Sequence, residues 1–284
     1  MGVVVRTANL VKHFLFVLVK RFLSDDCLSI AASLSYTTLL ALVPALAITF
    51  TIISTVTVFD SVLLQLQNFI FKIFIPGTGE VVKQHLSQFI IQASRLSVLG
   101  LALLVVAVLM LMTTIETAIN KIWKISRPRP PIKKIVVYMI TIILLPLFLA
   151  TSIYITSYLA ALPLLQGLNI ISDEVQYGFL RILPLIVAII ACTILYTVVP
   201  YCQVSFRSAL IAGVCAALFF ESAKKGFVLY VANVTTYSTI YGALAVVPLF
   251  LLWIYVSWII ILLGVELSYC LSQWHVLNDK KISV

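Results

Sequence analysis

The stretch Leu244–Tyr269 reads LAVVPLFLLWIYVSWIIILLGVELSY and carries a single charge, Glu266. About 20 apolar residues in a helix cross the roughly 30 Å hydrocarbon core of a bilayer. This run therefore predicts a transmembrane helix. The rest of the chain has the same character: of 284 residues, 62% are hydrophobic and 10% charged, and the mean hydropathy is +1.15. An ordinary soluble domain carries about a quarter charged residues, so too few polar side chains exist here to cover a compact soluble fold. A soluble globular enzyme and a disordered chain are both excluded. The expectation is an all-α, polytopic integral membrane protein forming a single membrane domain over residues 1–284.

Working outward from this run, the charged residues mark off five more apolar segments. Spans are expected near residues 32–56, 96–115, 135–159, 182–199 and 208–229, which with 244–269 makes six. Ahead of them, residues 8–23 read as an amphipathic helix lying along the interface. Val11, Leu15, Leu18 and Phe22 form its apolar stripe, with Lys12, His13, Lys20 and Arg21 elsewhere. Those charges, and the lack of a small-residue cleavage site, give no expectation of a cleavable signal peptide. The long connection 59–95 has an apolar stretch, the turn signal Pro76-Gly77-Thr78-Gly79 and an amphipathic stretch to Ala93. It reads as two short helices on the outer face, or as a re-entrant hairpin.

The formal charge of +9 is unevenly placed. The amino-terminal arm, the loops after spans two and four and the carboxy-terminal tail hold 13 Lys or Arg, against four on the opposite side (Lys72, Lys83, Arg95 and Arg181). By the positive-inside rule both termini are expected in the cytoplasm. The basic balance is then a matter of topology, and no nucleic-acid partner is expected.

Polar side chains inside hydrocarbon are costly and tend to face protein or water. In span one, Ser29, Ser33, Tyr36 and Thr37 fall near one helical face, and Pro44 removes a backbone donor. Ser33, Tyr36 and Thr37 are candidates for the wall of a polar cavity; the other reading is hydroxyls that join neighbouring helices. Span two ends in Glu116, Asn120 and Trp123, the last suited to an interfacial aromatic belt. Span five carries a small-residue stripe, Ala209, Gly213 and Ala217, which permits close helix approach. Glu221 and Lys225 continue that stripe, with Lys224 beside them. Ser208 to Glu221 is a rise of about 20 Å, placing the carboxylate inside the membrane. Glu221 with Lys225 and Lys224 is the candidate substrate or ion pathway; alternatively the lysines snorkel outward and Glu221 only neutralises them. Glu266 lies near the inner interface.

The chemistry-bearing patterns are absent: no H-E-x-x-H, G-x-G-x-x-G, phosphate-binding loop or G-x-S-x-G occurs. His13, His85 and His275 are dispersed, and the five cysteines form no C-x-x-C pair. Neither a metal nor another cofactor is expected, and no enzyme activity.

The run Ala31-Ala32-Ser33-Leu34-Ser35-Tyr36 through Pro44, the Glu116…Asn120-x-x-Trp123 segment with Arg127, and Tyr241-Gly242-Ala243-Leu244 through Gly264-Val265-Glu266-Leu267 resemble the YihY/BrkB membrane proteins. The likeness covers about residues 20–270. It implies a bacterial inner-membrane protein of six spans with a poorly defined activity, and BrkB itself suggests a link with resistance to host killing. Members have carried the label ribonuclease BN, which is widely regarded as mistaken. The resemblance brings no catalytic residues. The reading that follows is a transporter-like permease for a small solute, ion or lipid, with a non-transporting scaffold or envelope-integrity protein as the alternative. Its partners are membrane lipids and an unidentified small solute, and a homo-oligomer is left open.

Overall fold

The computed structural model describes residues 2–54, 98–125, 127, 129–140, 143, 173–233 and 246–274. Every regular element among them is helical. These are α1 (Gly2–Ser24), α2 (Cys27–Ser54), α3 (Val98–Ile122), α4 (131–140), α5 (Asp173–Val198), α6 (Phe206–Asn233) and α7 (Val246–Ser272). Three stretches are long and apolar enough to cross a membrane: Leu104–Ile122, Phe206–Val231 and Val247–Ser272. Cys27–Leu42 and Leu185–Val198 are shorter apolar helices. The connection 59–95, Tyr241, Gly242 and most of 135–159 lie outside the described residues.

The helices alternate in direction. At one end of the bundle α1, α3, α5 and α7 finish while α2, α4 and α6 begin, a register fixed by the contacts given below. The long helix α7 is central, packing on α2 and α6 and touching α1, α3 and α5. Its partners pair among themselves, α2 on α3 and α5 on α6. The main core gathers Leu34, Ile115, Ile119, Tyr196, Ala212, Trp258 and Leu262, and a smaller cluster sets Ile48 against Val108.

Hydroxyls inside these apolar helices satisfy themselves locally. Ser35 donates to the Ala31 carbonyl at 2.6 Å, Thr113 to Leu109 at 2.9 Å and Thr193 to Ile189 at 2.7 Å. Each bonds back one turn, so it needs no water in the membrane. Pro44 is buried within α2, which continues as a helix on both sides of it. At its carboxyl end α3 stops in a left-handed residue, Lys124 at φ 56°. Lys124 N–H donates to the Lys121 carbonyl and Ile125 N–H to that of Asn120, both at 3.0 Å, which closes the last turn of the helix.

Ala209, Gly213 and Ala217 lie on α6. Ala209 and Ala217 are fully buried, and a Cβ on Gly213 would meet Thr193 Oγ1 at 2.5 Å and the Ile189 carbonyl at 3.1 Å. Only a glycine lets α5 approach this closely. A second close approach occurs at Gly264, where the Tyr196 ring lies over the bare backbone and its hydroxyl donates to the Ile261 carbonyl at 3.2 Å.

In α1 the buried line differs from the expected one. Leu18 and Phe22 are buried, but Leu15 faces outward, and the inward face continues through Phe14 and Arg21. The cause is the partners: Trp274 receives the Phe14 ring edge-on at 5.0 Å, and a carboxylate on α7 draws Arg21 inward.

Candidate functional site

Two buried charge clusters occupy the end of the bundle where α3 and α7 finish. The first is built around Arg21, the last basic residue of α1. Its Nε donates to Glu266 Oε2 at 3.1 Å and its Nη2 to Asp25 Oδ2 at 2.9 Å. The same nitrogen lies 3.4 Å from the Ile122 carbonyl, one of the orphan acceptors at the end of α3. The guanidinium rests over the Tyr269 ring, 4.1 Å from its centroid, and Trp123 packs edge-on against the same ring. Glu266 is wholly buried, with Cys27 Sγ donating to its other oxygen at 3.9 Å. Burial alone would lower the pKa of Arg21, but the carboxylates of Glu266 and Asp25 outweigh it and hold the group above its ordinary value.

The second cluster centres on Glu116, also buried. The Tyr138 hydroxyl of α4 donates to its Oε2, and Asn120 Nδ2 donates to its Oε1 at 3.4 Å. Arg129 Nε stands 3.8 Å from the same carboxylate, an ion pair longer than a hydrogen bond. Arg129 Nη2 reaches the carbonyls of Val198 and Val199 at 3.2 and 3.5 Å. It thereby places a cation on the negative end of α5. Asn120 Oδ1 accepts from the Tyr201 backbone N–H at 3.0 Å, pinning the α5–α6 connection to α3. The last two turns of α3 thus tie together α1, α4, α5 and α7. Every acid of these two clusters has a cation or a donor. Among the described residues no group of three or more His, Cys, Asp or Glu is placed to hold a metal ion.

The pathway candidates sit elsewhere. Glu221 pairs with Lys224, one turn on, and Lys225 is exposed. The paired side chains are 37% and 43% exposed. On α2, Ser33 and Tyr36 are exposed, and Thr37 is half-buried with its hydroxyl bonded to the Ser33 carbonyl at 2.8 Å. No hydrogen bond or ion pair among the described residues joins these hydroxyls to the α6 charges. The span-one hydroxyl that does cross to another helix is Thr38, which accepts from Trp258 Nε1 at 2.9 Å.

Sequence reasoning did not single out Arg21, Asp25, Arg129 or Tyr138 as members of these clusters. One signal was available. A carboxylate such as Glu116 or Glu266 at the end of an apolar run needs a buried cation. Arginine serves better than lysine there, because its planar fork meets several acceptors at once.

The chain matches the family described as "Virulence factor BrkB" over residues 18–282. The chain belongs to the BrkB family. A UPF0761 membrane protein of Legionella pneumophila, strain Philadelphia 1, is 40% identical over 263 residues, 93% of this chain and 63% of the relative. Another from Cronobacter sakazakii is 38% identical over 255 residues, 90% of this chain and 87% of the relative. A third, from Pseudoalteromonas translucida, is 36% identical over 267 residues, covering 94% and 88%. The chain thus spans under two thirds of the Legionella relative's length. No solved structure matches it. With its apolar helices, it is a membrane protein of the BrkB family.

The residues that carried the likeness have distinct places in this BrkB-family bundle. Glu116, Asn120, Trp123 and Glu266 belong to the two clusters, and Gly264 seats Tyr196. Arg127 is exposed.

Proposed function

We propose that this BrkB-family protein is a six-span permease of the bacterial inner membrane with both termini in the cytoplasm. The spans are α2, α3, the segment beginning with α4, α5, α6 and α7, oriented by the excess of Lys and Arg at one end. It moves a small solute, ion or lipid by rocking or gating of its helices, without a cofactor and without chemistry on the substrate. One observation carries the reading: Glu221, Lys224 and Lys225 stand in the central turns of α6, a helix long and apolar enough to cross a membrane. Glu221 is about 22 Å from Phe206 along the helix axis. A partly exposed ion pair at that depth marks a polar pathway by default. Purified protein in liposomes should support solute flux, and Glu221→Gln should reduce it; undiminished flux in that variant would remove α6 from the pathway. A solute screen comparing cells with and without the protein supplies the substrate to test.

The second reading is a scaffold that only binds partner helices. The tied end of the bundle favours it. Water-soluble thiol reagents discriminate between the two: labelling of cysteines placed at 33, 37 and 221 supports a cavity, and uniform protection supports a packed scaffold.

A further inference from the structure

The outward face of α1 is built the wrong way round for a helix that meets water. Leu15, Phe16, Val19 and Leu23 are each more than half exposed, and Lys12 and Lys20 flank them on the same arc. A helix against water puts its apolar stripe inward and polar residues outward. Here the inward face is already occupied: Phe14, Leu18 and Phe22 pack on the bundle, and Arg21 is tied to Glu266. Four apolar side chains therefore remain outside, with two long cations able to reach past them.

The exposed charge around this face is mostly positive, with Asp26 the exposed acid among the described residues. Arg21 touches the Ile122 carbonyl, which brings α1 to the end of α3, where Lys121 and Lys124 are exposed. Asn120 holds the α5–α6 connection at the same end, and Arg207 is exposed just beyond it. Of the acids there, Asp25, Glu116 and Glu266 are engaged with arginines, and Asp26 accepts from Ser29 at 2.8 Å. Apolar side chains with basic residues among them suit the boundary between acyl chains and acidic headgroups, where lysine stems lie along hydrocarbon and their ammonium groups reach phosphate.

We propose that α1 and the basic rim beside it form a docking surface for acidic phospholipid headgroups, with Lys12 and Lys20 as the selecting residues. The surface gives the protein a preference among the lipids around it, beyond any transport it performs, and the preference reads out whether or not flux is detected. The test reconstitutes the full chain in phosphatidylcholine bilayers containing a trace of spin-labelled phosphatidylglycerol or spin-labelled phosphatidylcholine. The fraction of each label immobilised at the protein is then compared. The expected result is a preference for phosphatidylglycerol that weakens at high salt and falls by roughly fivefold or more in Lys12→Gln/Lys20→Gln. Both lysines are exposed, so the variant should keep the parent's melting temperature. Equal immobilisation of the two lipids would overturn the proposal and leave the face to a protein partner or a second copy of the chain. A preference that survives the double substitution would overturn it as well.

Discussion

Glu266 and Glu221 are both carboxylates on apolar helices, and each has a cation within reach, yet their surroundings have little in common. Glu266 is wholly buried, and its partner Arg21 comes from the far end of the sequence. Around that pair lie a second carboxylate, a helix-end carbonyl and an aromatic face. Glu221 has one partner, three residues away on its own helix, and both side chains are substantially exposed. A pair that joins distant helices inside the protein fixes their arrangement. A pair within one helix fixes nothing outside that helix. The first kind of charge holds the bundle, and the second is available to something that is not part of it.

The largest effect should come from breaking the buried pair. Glu266→Ala removes the wholly buried partner of Arg21 and leaves it Asp25 alone, and breaking a buried ion pair typically costs about 3–5 kcal/mol. Unfolding of the purified protein in detergent should show a loss of that size. Arg21→Met combined with Glu266→Leu and Asp25→Asn should recover most of it, because the set then leaves no charge behind. A loss below about 1 kcal/mol in Glu266→Ala would mean the pair does not hold the bundle, and the contrast with Glu221 would collapse.

A smaller effect tests the packing beside that cluster. Gly264→Ala brings a methyl group against the Tyr196 ring. Overpacking costs about 1–3 kcal/mol, offset by about 1 kcal/mol of helix propensity gained on replacing glycine. The net expectation is a loss of about 0–2 kcal/mol, smaller when Tyr196 is also replaced by Leu. A melting temperature raised by Gly264→Ala alone would show that the ring moves aside freely.

Much of the helical architecture is legible in the sequence. The charge-free runs show where apolar helices lie, because a charge in hydrocarbon is too costly to scatter at random. The four-residue spacing of Ala209, Gly213 and Ala217 marked a close helix contact, since that spacing stays on one helical face. Glu116 and Glu266 could be marked as unusual, but their partners could not be read. Arg21 is 245 residues from Glu266, and nothing local says which of several flanking cations turns inward. The same limit explains α1: a hydrophobic stripe can be drawn through Leu15 or through Phe14, and only Trp274 and Glu266 decide between them. The Lys224 pairing has another cause. Residues three and four apart both neighbour Glu221 on a helix, so the spacing alone does not choose between Lys224 and Lys225.

The smallest effect says most about the middle of α6. In Glu221→Gln, Lys224 keeps its charge and loses its carboxylate. If the exposed side of the pair meets water, the ammonium group is rehydrated and the loss stays below about 1 kcal/mol, as for ion pairs at a wet surface. If it meets lipid, an uncompensated lysine near the centre of a span costs roughly 2.5–3.5 kcal/mol. The permease reading requires the first outcome, a variant nearly as stable as the parent in a bilayer but impaired in flux. Reversible unfolding of the protein reconstituted in bilayers distinguishes the two sizes. A loss near 3 kcal/mol that Lys224→Met reverses would place the pair against hydrocarbon and end the case for a water-filled path along α6.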